Sequence, residues 1–145
     1  MAMFYKNKHM NLKQAMDELY KKYGWFAEKT VSFSISGSQP MEQVGSIMKS
    51  LRDSNDSAVA GTDIICLRDY KLKRIRNFRT GEISQTTLPV SDVLYYELEN
   101  GCSVVVRPSG TEPKVKLYVL TVGENKFECF DRINKYVEFF SEKLK

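Results

Sequence analysis

Residues 94–107 read Leu94-Tyr95-Tyr96-Glu97-Leu98-Glu99-Asn100-Gly101-Cys102-Ser103-Val104-Val105-Val106-Arg107. Leu94, Tyr96 and Leu98 alternate with Tyr95, Glu97 and Glu99, and a period of two gives a strand one buried face and one wet face. Asn100-Gly101 is a favoured pair for a tight hairpin turn, and the valine run after it supplies the returning strand. Strands joined by a hairpin are antiparallel. After the short loop 108–114 the alternation resumes over 115–122, with Val115, Leu117 and Val119 on one face and Lys116, Tyr118 and Leu120 on the other. Three consecutive antiparallel strands are therefore expected in the C-terminal half.

Upstream, Val31, Phe33 and Ile35 alternate with Ser32, Ser34 and Ser36, predicting a strand from Thr30. Gly37-Ser38-Gln39-Pro40 breaks it. Met41, Val44, Ile47, Met48 and Leu51 then recur at helical spacing up to the polar run 53–57. Ile64-Ile65-Cys66-Leu67 is a continuous apolar strand. Asn11 with Gln14 has the form of a capping box before Leu12, Ala15, Met16, Leu19, Tyr20 and Tyr23, and Gly24 ends that helix. A last helix is expected over 124–144, with Phe127, Phe130, Ile133, Val137, Phe140 and Leu144 as its buried stripe. Helices with one apolar face beside hairpin-linked strands make an α+β fold, a mostly antiparallel sheet with helices on one face.

The 145 residues, 42% hydrophobic and 28% charged with 8 Gly and 4 Pro, have the composition of one ordinary globular domain. No apolar run approaches the roughly 18 residues of a membrane span, and the first residues lack the apolar core of a signal peptide, so a cytoplasmic protein is expected. Cys66, Cys102 and Cys129 form an odd set without Cys-x-x-Cys spacing, which excludes a disulfide framework or zinc site and leaves small buried apolar residues. His9 is the only histidine, too few for conventional triads. The net charge of +4 suits an anionic ligand.

The loop Arg107-Pro108-Ser109-Gly110-Thr111-Glu112-Pro113-Lys114 carries the chemistry. Arg107 offers a planar fork of donors that matches phosphate, Ser109 and Thr111 add hydroxyls, and Gly110 lets backbone N–H groups approach an anion. Pro108 and Pro113 stiffen the loop, while Lys114 and Lys116 return positive charge toward Arg107. Glu112 repels phosphate unless it pairs with a cation or faces a hydroxyl. A plain Gly/Pro turn stands as the alternative reading of the same residues.

Followed by Val115-Lys116-Leu117-Tyr118, this loop resembles the C-terminal phosphate-binding loop of the phosphoglucomutase/phosphomannomutase (phosphohexomutase) family. The resemblance extends through Asp17-Glu18-Leu19-Tyr20 with Tyr23-Gly24, Ile65-Cys66-Leu67-Arg68-Asp69-Tyr70 and Leu88-Pro89-Val90-Ser91-Asp92-Val93-Leu94. It implies a TATA-binding-protein-like order β-α-β-β-β-β-α, with Arg107, Ser109, Gly110, Thr111 and Lys116 binding substrate phosphate. The family's enzymes interconvert hexose 1- and 6-phosphates with four domains, a phosphoserine, Mg and a hexose bisphosphate activator. The phosphoserine and Asp-x-Asp-x-Asp loops are absent from this sequence, so no catalytic or metal residue is assigned, and Asp53-Ser54-Asn55-Asp56 reads as a polar turn.

The resemblance implies a C-terminal piece of a longer enzyme: residues 1–25, with Met3 to Tyr23 at their centre, as the helical tail of a preceding domain, and 26–145 as the phosphate-binding domain. Phosphosugar and the enzyme's other domains are the expected partners. No mutase turnover and at most weak phosphosugar binding are expected of the chain alone. An uncovered first helix, with Leu12, Met16, Leu19, Tyr20 and Trp25, would self-associate. A phosphopentomutase-like parent is one alternative. A free-standing nucleic-acid-binding module is another, because Arg68, Lys71, Lys73, Arg74, Arg76 and Arg79 crowd one segment with Tyr70 and Phe78 interleaved. A solvated connection between strands explains that crowding equally well.

Overall fold

The structure, a computed structural model, describes residues 10–144. Helix α1 (Leu12–Tyr23) leads into strand β1 (Trp25–Ser34) and helix α2 (Pro40–Asp53). Strands β2 (Ala58–Val59), β3 (Thr62–Asp69), β4 (Arg74–Asn77), β5 (Ile83–Gln85), β6 (Leu94–Leu98), β7 (Ser103–Pro108) and β8 (Lys114–Gly123) follow, and α3 (Lys126–Lys143) closes the chain. His9 and the stretch Met3–His9 assigned to a preceding domain lie outside the described residues.

The main sheet runs β1-β8-β7-β6-β3-β4-β5, every pair antiparallel, with β2 paired to β3 alone. The chain is thus α+β, and the expected order β-α-β-β-β-β-α is present as β1, α2, β3, β6, β7, β8 and α3. Three short strands are added to it. Two of these, β4 and β5, lie in the basic segment, which is not a plain connection: Arg74, Ile75 and Arg76 pair with Asp69, Arg68 and Leu67 and extend the sheet edge.

The sheet's buried face forms one core with the two later helices. Leu94, Leu98, Val104, Val106, Val115, Leu117 and Val119 meet Val44, Met48 and Leu51 of α2 and Ile133, Tyr136 and Phe140 of α3. The alternation expected for β6 and β8 is the alternation observed, and the valine run of β7 alternates as well. β1 begins at Trp25, earlier than its serine alternation indicated, because it pairs with β8 along all ten residues from Trp25↔Gly123 to Ser34↔Lys114. As a sheet edge it exposes both Glu28 and Lys29, which hides the period of two in that half. In α1, Asn11 and Gln14 do form the capping box, 2.9 Å in each direction.

The last helix is rotated from the expected stripe. Phe127 is 88% and Phe130 46% exposed, while Cys129, Ile133, Tyr136 and Phe140 are buried. Tyr136 reaches the core because its hydroxyl is satisfied there, accepting from Asn100 Nδ2 at 2.8 Å and lying 3.1 Å from Thr62 Oγ1. Asn100 in turn accepts from Cys102 N at 3.2 Å. In the β6–β7 turn only Gly101 is left-handed, with φ of 77°, and its N–H donates to Leu98 O at 3.0 Å, so the connection is a type I turn closed by a glycine bulge. Among the described residues no helix is long and apolar enough to cross a membrane. Cys102 and Cys129 are buried as expected, whereas Cys66 is only half-buried.

Candidate functional site

The loop singled out in the sequence closes the β7–β8 hairpin. Ser109 N donates to Lys114 O at 2.8 Å and Lys114 N to Glu112 O at 2.7 Å, so the base of the loop is stitched shut. Its far side is tied to the neighbouring strand's exit, where Ile35 N donates to Pro113 O at 2.8 Å. The fold therefore holds the loop from two directions before any ligand arrives, and a preordered loop loses less entropy on binding.

Arg107 lies directly opposite Lys116 in the β7–β8 register. Residues paired in this way share one face of a sheet, with Cβ atoms about 4.5–5.5 Å apart. Here the shared face is the open one, because Val106, Val115 and Leu117 point into the core. Like charges placed opposite each other repel. Yet among the described residues neither Arg107 nor Lys116 has a carboxylate within 4.0 Å, and the Arg107 guanidinium has no hydrogen-bond acceptor. The third cation, Lys114, is committed: its Nζ lies 2.9 Å from Glu112 Oε1. That contact accounts for Glu112, whose charge is held by a loop lysine.

Gly110 and Thr111 are exposed and Ser109 half-buried, and the two hydroxyls have no partner among the described residues. Gly110 is not in the left-handed region, and a Cβ built there would meet nothing within 4 Å. Its backbone does not require glycine, and the absent side chain leaves open space beside the loop. Thus the structure brings Arg107, Ser109, Gly110, Thr111 and Lys116 to one end of the open sheet face. The nearest open-face carboxylates, Glu28 and Glu97, are four residues along their strands from that row, about 13 Å away. A groove of about 750 Å³ runs along the β1 edge beside α2, lined by Ser32 and Ser34 as well as Phe33, Ile35, Gln43 and Ile47. It carries no charge, so the loop is the better candidate for an anion.

Among the described residues no three His, Cys, Asp or Glu side chains are grouped to hold an ion. Asp56, in the polar run after α2, is engaged by Lys143 Nζ at 2.7 Å and by the Ser54 hydroxyl. These hydrogen bonds outweigh its partial burial and hold its carboxyl below the ordinary 3.8.

The sequence reading missed a second polar cluster. Arg52 of α2 is buried, with Nε 3.3 Å from Asp69 Oδ1 and 3.2 Å from Oδ2 and with Nη2 bonded to Asp92. Asp69 Oδ1 also accepts from Lys71 N at 3.0 Å and Leu72 N at 3.2 Å, and Lys71 Nζ lies 3.1 Å from Asp92. The cluster clasps α2 to the β3–β4 turn and to the entrance of β6. The Asp69 and Asp92 segments were visible as motifs, but nothing local named Arg52 as their partner.

Comparison with known proteins places this geometry. Residues 43–126 match the family model described as phosphoglucomutase/phosphomannomutase, C-terminal domain. The chain is 31% identical over 116 residues to a phosphoglucomutase of Staphylococcus saprophyticus, covering 80% of this chain and 21% of that one. With a phosphoglucomutase of Staphylococcus haemolyticus it shares 30% identity over 124 residues, 85% of this chain and 22% of the relative. The fold is also that of part of the open form of parafusin, a phosphoglucomutase from Paramecium, at a TM-score of 0.51 and 10% identity, covering 93% of this chain and 24% of that one. The chain spans about a fifth of the length of the curated relatives it matches. From α2 to the start of α3, a stretch that includes the β7–β8 hairpin, the chain belongs to the phosphoglucomutase/phosphomannomutase C-terminal domain family.

Proposed function

We propose that this chain supplies the phosphate-holding domain of a phosphohexomutase, an enzyme that interconverts hexose 1- and 6-phosphates in the cytoplasm. The observation that carries the reading is the Arg107–Lys116 pair, two cations directly opposite on adjacent strands with no carboxylate among the described residues to neutralise them. A dianionic phosphate removes their mutual repulsion and accepts from both, and Ser109 and Thr111 complete its shell. The site grips the phosphate that is not reacting. Binding energy from such a remote group orients the reacting end.

The nucleophilic serine, Mg and the bisphosphate activator belong, in this reading, to other domains, and no step involving them is assigned to residues of this chain. Residues 26–145 form the domain, and α1 is the tail of its neighbour. That helix buries only Ala15 and exposes Leu12 at 70% and Met16 at 45%, an apolar surface for the rest of the enzyme or for a second copy.

The test is an NMR titration of the chain with inorganic phosphate, glucose 1-phosphate and glucose 6-phosphate. All three are expected to shift the amides of 107–116 at millimolar concentration and to compete with one another, because the site reads phosphate rather than sugar position. Arg107→Ala is expected to abolish the shifts. Wild-type amides that stay still in all three titrations would reduce the loop to a structural turn.

A further inference from the structure

The Arg107–Lys116 row does not stop at β8. Lys116 is also directly opposite Ser32 of β1, so Arg107, Lys116 and Ser32 form one row across three adjacent strands on the open face. Ser32 is exposed, and its hydroxyl has no partner among the described residues. Strands in a sheet are about 4.8 Å apart, so a phosphate centred over β8 lies within reach of the two long cations from one side and of a short hydroxyl from the other.

The same sheet face shows what its other end does with a cation. Arg68 is ion-paired diagonally to Glu97 on the neighbouring strand, two residues from its direct partner Tyr95. A cross-strand carboxylate is the usual way a sheet neutralises a lysine or arginine. Directly opposite Lys116 on β1 stands a neutral hydroxyl. It can donate to an anion, and it does not compete for the cation.

We propose that Ser32 is a phosphate-binding residue, so that the anion site is a three-strand shelf capped by the loop rather than the loop alone. This inference rests on the phosphate reading of Arg107 and Lys116. The next serine along the strand, Ser34, is opposite Lys114, whose charge is already taken by Glu112, and it has no role in the shelf.

The experiment is titration of the chain and four variants with inorganic phosphate, read by calorimetry and by amide shifts, with circular dichroism and thermal unfolding checking that each variant folds. Ser32→Ala is expected to weaken phosphate binding roughly three- to tenfold, the effect of one hydroxyl donor on an exposed sheet face. Ser34→Ala is expected to leave binding unchanged. Ser32→Asp supplies the missing carboxylate, pairs with Lys116 and is expected to abolish phosphate binding while thermal stability holds or rises. If Arg107→Ala abolishes binding but both Ser32 variants bind like wild type, the shelf is wrong and the loop site stands. Equal weakening by Ser34→Ala also overturns the shelf, since the effect would not follow the register. If wild type binds no phosphate, or Arg107→Ala binds as well as wild type, the loop reading fails and the shelf fails with it.

Discussion

Replacing Asp69 with asparagine tests what fastens α2 to the sheet. Arg52 and Asp69 are 7% and 4% exposed at their side chains, so the pair is dry on both sides, while Asp92 is 30% exposed. Removing one partner of a buried ion pair costs about 3–5 kcal/mol, because the other charge is left without compensation. Asp92 remains on Arg52 in this variant, which puts the expected loss near the lower end, about 3 kcal/mol. The asparagine oxygen still accepts from Lys71 N and Leu72 N, so the β3–β4 turn survives. Asp69→Ala removes those two acceptor contacts as well, at about 1 kcal/mol each, for a total near 5 kcal/mol.

Urea unfolding of the 145-residue chain reads both numbers. With a slope of about 2 kcal/mol per molar urea, the midpoint is expected to fall by about 1.5 M for asparagine and about 2.5 M for alanine. A midpoint for Asp69→Asn within about 0.3 M of wild type would show that the pair's Coulombic gain is cancelled by desolvation. Coincident curves for the two variants would show that the turn bonds contribute nothing.

Four further outcomes follow from the same structure. Gly110→Ala is expected to leave the thermal midpoint unchanged, since the position is not left-handed and is open, whereas Gly101→Ala, at φ of 77° with Val122 Cγ1 only 3.1 Å from the added carbon, should cost about 1–2 kcal/mol in the same melt. Tyr136→Phe strands Asn100 and Thr62 and should cost about 1–2 kcal/mol in urea, while Phe127→Ser, on a side chain that is almost wholly exposed, should cost nothing measurable. Asp56 has a folded pKa below its ordinary 3.8, so its stabilising effect is full above that value and is lost as pH falls through the lower folded one; Asp56→Asn should therefore shallow the acid limb of a stability-against-pH curve and leave its slope near neutrality alone. Arg74→Ala, at the far edge of the sheet, should leave phosphate titrations superimposable on wild type.

What could be read in the chain was what neighbours in sequence decide. The β6–β7 hairpin, the Asn11/Gln14 box and the start of α2 at Pro40 each depend on a few adjacent residues, and each is present. The phase of α3 was not readable. Aromatic residues at 127, 130, 136, 139 and 140 supply apolar stripes at several angles, and the choice among them is made by Thr62 and Asn100, distant residues that satisfy the Tyr136 hydroxyl. Cationic stems also cover what that choice leaves outside, as Lys126 does over the Phe130 ring at 5.6 Å. In the basic segment the charge of Arg74 and Arg76 concealed a strand whose partners had to be found across the sheet. The loop from Arg107 to Lys114 was readable as an anion motif because its donors are contiguous. Ser32 opposite Lys116 was not, because register between distant strands is set by pairing along the whole of β1.

The arrangement of cations and their partners decides between the two basic regions, although the sequence weights them the other way. Six cations crowd residues 68–79, and only Arg107, Lys114 and Lys116 serve the hairpin loop. In the folded chain Arg68 is held by Glu97, Lys71 by Asp92 and Arg79 by Glu99, and Arg76 lies over the Phe78 ring at 4.5 Å. A polyanion docking there would have to break those pairs and leave the carboxylates facing its phosphates. At the loop, one carboxylate meets one lysine, and among the described residues Arg107 and Lys116 have no carboxylate and the Ser109 and Thr111 hydroxyls no partner. Folding gives an acid to three of the six cations of the basic stretch and, among the described residues, leaves Lys73, Arg74 and Arg76 without one, whereas at the hairpin end of the sheet it sets Arg107 and Lys116 directly opposite each other. The phosphate reading of the hairpin therefore rests on arrangement, two cations in one register row beside contiguous hydroxyls, and not on the number of cations that folding leaves without an acid.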